Sequence, residues 1–207
     1  MKKYEIIIAD PPWPYSSNRQ VHTDSTTGEV GHGGADIQYN TMTMEDLCAL
    51  PIKRIAAKNC VLYLWTTGPK LPESIRLIES WGFKYSTVAY VWDKRIPLMG
   101  YYSMSQTEFV LVAKRGKCPP RIKQAPGEAI KQLQSYTRGK HSQKPEEFQT
   151  SIENHWDLTG LNKIELFARR FRPGWDCIGN EINGTIQDFL DGKSMPLQAV
   201  RSVQTKC

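Results

Sequence analysis

Tyr4-Glu5-Ile6-Ile7-Ile8-Ala9 runs straight into Asp10-Pro11-Pro12-Trp13, and this junction decides the architecture. The first six residues form an apolar run with the length and β-branched content of a buried strand. Two consecutive prolines cannot continue a central strand, because neither has a ladder N–H, so the chain must leave the sheet at Asp10. In an open α/β sheet, ligands bind in the crevice beyond the strand ends. There Asp10 supplies a carboxylate acceptor, Pro11 and Pro12 add carbonyls held in a stiff extended turn, and Trp13 offers a flat face. Acceptors beside a π-surface suit a planar group bearing an –NH₂, such as adenine. The same four residues also make an ordinary turn, and a Trp after such a turn often simply packs. The rest of the chain has to decide.

At 207 residues, with 40% hydrophobic and 23% charged side chains, the chain can build one ample core and is short for two domains. We expect a single domain over 1–183 and a tail over 184–207 that carries one short helix and is partly frayed. No apolar run approaches ~18 residues, so no membrane span is expected, and the early strand leaves no room for a signal peptide. Cys48, Cys60, Cys118, Cys177 and Cys207 are scattered without a paired spacing, and His22, His32, His141 and His155 lack metal-ligand spacing. That pattern suggests reduced thiols in a cytoplasm and no metal site. The net charge of +6 is compatible with a nucleic-acid partner without specifying one.

Residues 14–41 are polar and rich in Gly, Ser, Thr and Asn, too long for a passive connection, and read as a mobile active-site loop. Thr43-Met44-Glu45-Asp46 looks like the capped start of a short helix ending near Pro51. Strands are expected at 60–65, 83–92, 108–114 and 163–168, with a further extended piece at 175–178. Helices are expected at 71–81, stopped by Gly82, and from Pro145 to about residue 156. Residues 93–105 read as a second irregular loop, and 116–143 as a basic, poorly patterned segment. Strands alternating with helices predict an α/β sandwich around a largely parallel sheet.

A second candidate site follows the strand at 163–168, where Arg169-Arg170-Phe171-Arg172 leads to Gly179-Asn180-Glu181. Glu and Asn at a strand end can bond ribose hydroxyls, while Arg can pair with a carboxylate. Ribose, adenine and an amino-acid terminus are the handles of S-adenosylmethionine. Arg138-Gly139-Lys140-His141-Ser142-Gln143-Lys144-Pro145 is a basic segment just before a helix, and a helix N-terminus with Lys and Ser is expected to make an anion site. A surface Arg cluster that binds phosphate or solvates an edge would carry the same residues.

Taken together, these segments resemble the adenine-N6 methyltransferase family named after the seventy-kilodalton subunit of the messenger-RNA enzyme (MT-A-seventy). The matching elements are Ala9-Asp10-Pro11-Pro12-Trp13, Tyr39-Asn40-Thr41-Met42-Thr43, Leu62-Tyr63-Leu64-Trp65-Thr66-Thr67 and Trp81-Gly82-Phe83-Lys84-Tyr85. His141-Ser142-Gln143-Lys144-Pro145, residues 164–169 and Gly174-Trp175 through Gly179-Asn180-Glu181 complete the set, in the family's order. The texture is closest to short bacterial and phage members. The resemblance implies a Rossmann-like methyltransferase, a three-layer sandwich in permuted order, with the catalytic tetrad ahead of the cofactor strand. It implies methyl transfer from S-adenosylmethionine to the N6 amine of adenine.

By that resemblance Asp10, Pro11, Pro12 and Trp13 are catalytic, with Trp13 stacking on the base. Asp10, Lys144, Glu165, Phe167, Arg169, Arg172, Asn180 and Glu181 are implied cofactor contacts. Eukaryotic members carry a further acidic contact upstream of the tetrad strand, which this sequence does not contain, and a His-Asn pair where Phe171-Arg172 stands. Nucleic-acid contacts are expected from Trp13, Tyr15, Arg19, Tyr39, Lys94, Arg95, Arg138, Lys140, His141 and Ser142. DNA is preferred over RNA as substrate, on small size and the bacterial or phage texture. Because some relatives are non-catalytic platform subunits, that reading stands as the alternative of another class. A homodimer is expected, with the 93–105 loop at its interface, in a bacterial cytoplasm or that of a phage-infected host.

Overall fold

The computed structural model describes residues 1–14, 22–23, 30–31, 41–98, 100, 102–125, 128–137, 139, 143–182, 184–194 and 196–198. In chain order its elements are β1 (Tyr4–Ala9), β2 (His22–Thr23), β3 (Val30–Gly31), α1 (Met44–Ala49) and β4 (Ala56–Thr66). Next come α2 (Leu71–Ser80), β5 (Lys84–Leu98), β6 (Ser105–Arg115), β7 (Leu133–Ser135) and α3 (Glu146–His155). The chain closes with β8 (Lys163–Leu166), β9 (Asp176–Ile178), α4 (Ile186–Leu190) and β10 (Leu197–Gln198).

Eight strands form one sheet in the order β10-β9-β8-β1-β4-β6-β5-β7, which puts β1 near the middle, as its unbroken apolar run requires. β9, β8, β1, β4, β5 and β7 run one way, and β6 and β10 run against them. β2 and β3 pair only with each other. Alternation along β1 and β4 sends successive side chains to opposite faces. Ile7, Ala9, Leu62 and Leu64 join a core with residues of α1, α2 and α4. Ile6, Ile8, Val61, Tyr63 and Trp65 join a second core with Phe148 and Ile152 of α3. The result is the α/β three-layer sandwich read from the sequence.

Local chemistry explains the helices. Thr43 caps α1 by accepting the Asp46 N–H at 3.1 Å. α2 ends where Gly82 takes φ +80°, and the Trp81 indole N–H donates to the Leu47 carbonyl at 2.8 Å, tying α2 to α1. Pro145 sits at the N-cap of α3, which buries Phe148, Gln149 and Ile152 on one face.

Four expectations need correction. Residues 93–105 are not an irregular loop: β5 runs on to Leu98 and β6 begins at Ser105, so a long bulged hairpin replaces most of it. Polar and apolar side chains are mixed there without alternation, which hid the strand pairing from a reading based on apolar alternation. The segment 116–143 contains β7, which adds in parallel to the edge of β5. β4 starts at Ala56, four residues before its apolar run. The described part of the tail is docked and not frayed, since α4 buries Ile186, Phe189 and Leu190 and β10 pairs with β9. Of the expected loop at 14–41, all but the β2–β3 pair and the flanking residues lies outside the described residues. Among the described residues no helix is long and apolar enough to cross a membrane, and no group of His, Cys, Asp and Glu could hold a metal ion.

The contact that fixes α3 to the sheet is polar. The buried Trp156 indole donates to the Tyr63 hydroxyl at 2.7 Å. Tyr63→Phe leaves that N–H without its acceptor, at a cost of about 1–3 kcal/mol. Thermal unfolding should show Tm lowered by roughly 2–10 °C, and an unchanged Tm would remove this contact from the account.

Candidate active site

Strand direction gathers the site at one edge of the sheet. β1 and β8 point the same way and end together, so Asp10 emerges next to the end of Leu166, whose carbonyl accepts the Asp10 N–H at 3.4 Å. β6 runs the opposite way, which brings its start to the same edge, with Phe109 opposite Thr66 at the end of β4. Glu108 precedes Phe109 and therefore stands at that edge. Opposite Glu108 lies Trp92 of β5, and Lys94, two residues further on, shares its face. Lys144 reaches in from the turn just before α3.

Four of these side chains form one chain of alternating charge. Lys94 Nζ lies 2.8 Å from Glu108 Oε1, Lys144 Nζ lies 3.3 Å from Glu108 Oε2, and Lys144 Nζ lies 3.0 Å from Asp10 Oδ2. The Lys144 ammonium also stands 5.4 Å over the Trp65 ring and that of Lys94 5.7 Å over Trp92. Burial would raise the Glu108 carboxyl, but the ammonium groups of Lys144 and Lys94 outweigh it and hold the group below its ordinary range. Burial would lower Lys144, and Asp10 and Glu108 outweigh that in turn, pushing its pKa upward. Glu108 and Lys144 therefore stay charged near neutral pH, because each has its counter-charge in contact.

A cavity of about 280 Å³ opens beside this chain. Its apolar wall is Ile8, Trp65, Phe148, Ile152 and Phe167; its polar groups are Asp10, Gln143, Lys144, Gln149, Glu165, Arg169, Arg170 and Glu181. Glu165, on β8, accepts from the Gln149 amide at 3.2 Å, leaving acceptor capacity toward the cavity. Phe167 ends β8 in the left-handed region at φ 60°, a strained conformation for a residue with a side chain, and lines the cavity. Arg169 and Glu181 pair across the rim at 3.6 Å. Glu181 is set there by a close backbone approach: a Cβ on Gly179 would come within 2.1 Å of the Ala168 carbonyl oxygen.

The structure thus brings Asp10, Lys144, Glu165, Phe167, Arg169 and Glu181 to one cavity. Other expected site residues stand elsewhere. Trp13 is only 5% exposed and donates its indole N–H to the Trp65 carbonyl at 3.0 Å, so it anchors the turn to β4 and presents no free face for a base. The Pro11 carbonyl takes the Trp13 N–H at 2.8 Å, leaving one lone pair for another donor. Lys94 is 7% exposed and paired with Glu108, unlike a surface nucleic-acid contact. Arg95 is exposed and bonds the Ser135 carbonyl of β7. Arg172 is committed to Glu153 through two hydrogen bonds of 3.0 and 2.9 Å, with Thr150 at 3.1 Å, on the far side of α3. Asn180 is exposed and does not line the cavity. Tyr15, Arg19, Tyr39, Arg138, Lys140, His141 and Ser142 lie outside the described residues.

Sequence reasoning missed Glu108 and Gln149, and included Arg170 only as part of the segment 169–172. Glu108 carried a readable signal, a carboxylate heading the apolar run Phe109-Val110-Leu111-Val112-Ala113. Gln149 sits between Phe148 and Ile152 on the buried face of α3, where a polar residue needs a partner.

The Glu165 carboxyl is pushed up to about 7, mainly by burial and further by Asp10, against the pull of Arg170, Gln149 and Arg172. A carboxyl whose folded pKa is raised binds its proton more tightly folded than unfolded, so stability falls as pH rises from its unfolded value near 4.5 to about 7. Glu165→Gln should flatten the dependence of Tm on pH across that window. A variant whose Tm still falls as steeply as wild type would place the titration elsewhere.

Similarity to known proteins agrees with this geometry. The MT-A70 family model matches residues 4–181, which hold every residue of the cavity. The type II methyltransferase M.MunI of Mycoplasma sp is 43% identical over 189 residues, covering 87% of this chain and 78% of that protein. The human N(6)-adenosine-methyltransferase catalytic subunit METTL3 is 24% identical over 195 residues, 88% of this chain but 29% of its own length. A putative N(6)-adenosine-methyltransferase of Medicago truncatula, MT-A70-like, is 25% identical over 188 residues, 27% of its length. Match and site coincide, and the chain belongs to the MT-A70 family of methyltransferases.

Proposed function

We propose that this protein transfers a methyl group from S-adenosylmethionine to the N6 amine of adenine in DNA. The observation that carries the reading is the Asp10 carboxylate, held by Lys144 at a strand end beside a cavity whose donors and acceptors suit the cofactor. Glu165 has acceptor capacity for ribose hydroxyls, Arg169 offers a cation to a carboxylate, and Phe167 with Ile8 and Phe148 gives an apolar wall. When bound, the cofactor supplies an electrophilic methyl on a positively charged sulfur, which the amine nitrogen takes up as the carbon–sulfur bond breaks.

The protein's task is the nucleophile, because the adenine amine lone pair is delocalised into the ring. Asp10 and the open lone pair of the Pro11 carbonyl accept the two N–H groups, which favours a pyramidal nitrogen with a localised pair. The same acceptors stabilise the positive charge that develops there. Asp10 need not act as a base, since the methylated ammonium loses its proton to water. In a duplex the base must first be flipped out. Among the described residues Cys48, Cys60, Cys118 and Cys177 form no disulfide, which fits a reducing bacterial or phage-infected cytoplasm.

DNA is favoured because the relative at 43% identity is a type II methyltransferase, while relatives named for N(6)-adenosine match at 24–25%. Those same names make RNA the second reading. Matched DNA and RNA oligonucleotides, assayed side by side with labelled S-adenosylmethionine, decide between them: label on DNA adenine supports the first and label on RNA alone overturns it. Asp10→Ala should retain the fold and lose at least about a hundredfold in turnover, the scale of a lost charge-stabilising group. A variant keeping more than a few per cent of wild-type turnover contradicts the role given to Asp10.

The β5–β6 hairpin bears Ile96, Leu98, Tyr102 and Met104 at 54, 41, 96 and 58% exposure. An apolar patch of this kind supports a homodimer through the hairpin, which would double the charged surface facing DNA. Light scattering during size-exclusion chromatography should give twice the 23.6 kDa chain mass. A fully active species of one chain mass contradicts it.

A further inference from the structure

Lys144 cannot be understood from Asp10 alone. Its ammonium is divided between two carboxylates, 3.0 Å from Asp10 and 3.3 Å from Glu108, and the second carboxylate is itself gripped by Lys94 at 2.8 Å. The Lys94, Glu108 and Lys144 side chains are 9, 14 and 20% exposed, so the arrangement is built into the protein and screened little by solvent. A buried lysine paired with a buried glutamate is costly to assemble and weak evidence of stabilisation, which leaves its retention beside the reacting centre to be explained. Geometry supplies the reason. Asp10 has to accept an amine N–H, and an ammonium fully seated on it competes for the same oxygens. Glu108 gives that ammonium a second seat, and Lys94 keeps the seat charged and aimed.

We propose that Lys94 and Glu108 are positioning residues for methyl transfer: they set how Lys144 divides itself between Glu108 and Asp10, and so free Asp10 to take the acceptor amine. The proposal rests on the adenine-amine reading above and deepens it. Neither residue needs to touch substrate. Glu108 acts through Lys144, and Lys94 acts through Glu108. Neither Lys94 nor Glu108 lines the cavity, whose groups assigned to the cofactor are Glu165, Arg169 and Phe167.

A merely structural ion pair would not give the following pattern. Glu108 faces Lys94 from β5 and Lys144 from the turn before α3, with Asp10 beyond Lys144 and Arg170 bonded to the Lys144 carbonyl at 3.4 Å. Removing Lys94 leaves burial and one cation acting on Glu108, so its carboxyl takes up a proton at higher pH. Lys144 then falls back onto Asp10. Glu165 titrates in wild type and variant alike, so a difference between them reports on Glu108.

Single-turnover rates on an adenine oligonucleotide, measured from pH 5 to 9, test this together with calorimetric titration of S-adenosylmethionine. Activity of the wild-type protein comes first, because its absence would fail the functional reading and not this one. With wild type active, Lys94→Met should lower the rate by about tenfold or more and move the acid limb to higher pH. Cofactor affinity should stay within about twofold, and Lys94→Arg should restore most of the rate and the limb. Adding Lys94→Met to Glu108→Gln should cost nothing further, as expected when one residue acts through the other. A Lys94→Met protein with wild-type rate and acid limb overturns the proposal. So do losses that multiply in the double variant, and a loss that follows folded fraction or cofactor affinity with the acid limb unmoved.

Discussion

The contact between the Lys144 ammonium and the Asp10 carboxylate is the constraint around which this site is built. A carboxylate at the end of a central strand, close to an apolar wall, would be costly to keep charged without a counter-ion. A lysine brought to it in the same apolar setting carries the same cost. Each removes the other's penalty, and the remaining valence of the lysine is taken by Glu108, whose second oxygen is taken by Lys94. The consequence is that the Asp10 carboxylate is held in place by a contact of 3.0 Å from Lys144. Such preorganisation is the form in which electrostatic stabilisation accelerates a charge-developing step.

The topology brings the partners of that contact together at one edge. β1 and β4 deliver Asp10 and Trp65 to one edge, and reversal of β6 delivers Glu108 to the same edge from the opposite direction. A parallel β6 would have placed Glu108 at the far edge of the sheet. α3 is pinned by Trp156 on Tyr63 and by the Phe148 ring 5.2 Å from Trp65, and Lys144 stands two residues ahead of the helix's first residue, Glu146. Trp13 contributes from beneath: its buried indole on the Trp65 carbonyl holds the Asp-Pro-Pro turn against β4.

How much of this was legible in the residues alone follows from what each signal encodes. The run from Tyr4 to Ala9 and the prolines after it announce a central strand and its end, because burial and the missing N–H are local properties. Asp10, Lys144 and Glu165 were likewise readable, from motif order. The hairpin across 93–105 was not, because its largely exposed residues mix polar and apolar side chains without alternation and their pairing is a long-range fact. Trp13 packs on β4 where a stacking face was expected, since a Trp after a strand has the same sequence whether its ring faces a ligand or the core. Arg172 was misread because bidentate pairing suits a ligand carboxylate and Glu153 equally well, and only the position of α3 chooses between them. Lys94 looked like a surface cation because its partner, Glu108, lies across a strand pair.

The account makes Lys144 a shared cation that gives up Asp10 when the acceptor arrives. The most direct measurement is a crystal structure of the protein with a cofactor analogue and an adenine-containing oligonucleotide bound. It should place the adenine amine within hydrogen-bond distance of Asp10, with the Lys144 ammonium on Glu108 and Glu108 still on Lys94. Lys144 still seated on Asp10, with the adenine amine bound by other groups, would contradict the account at its centre.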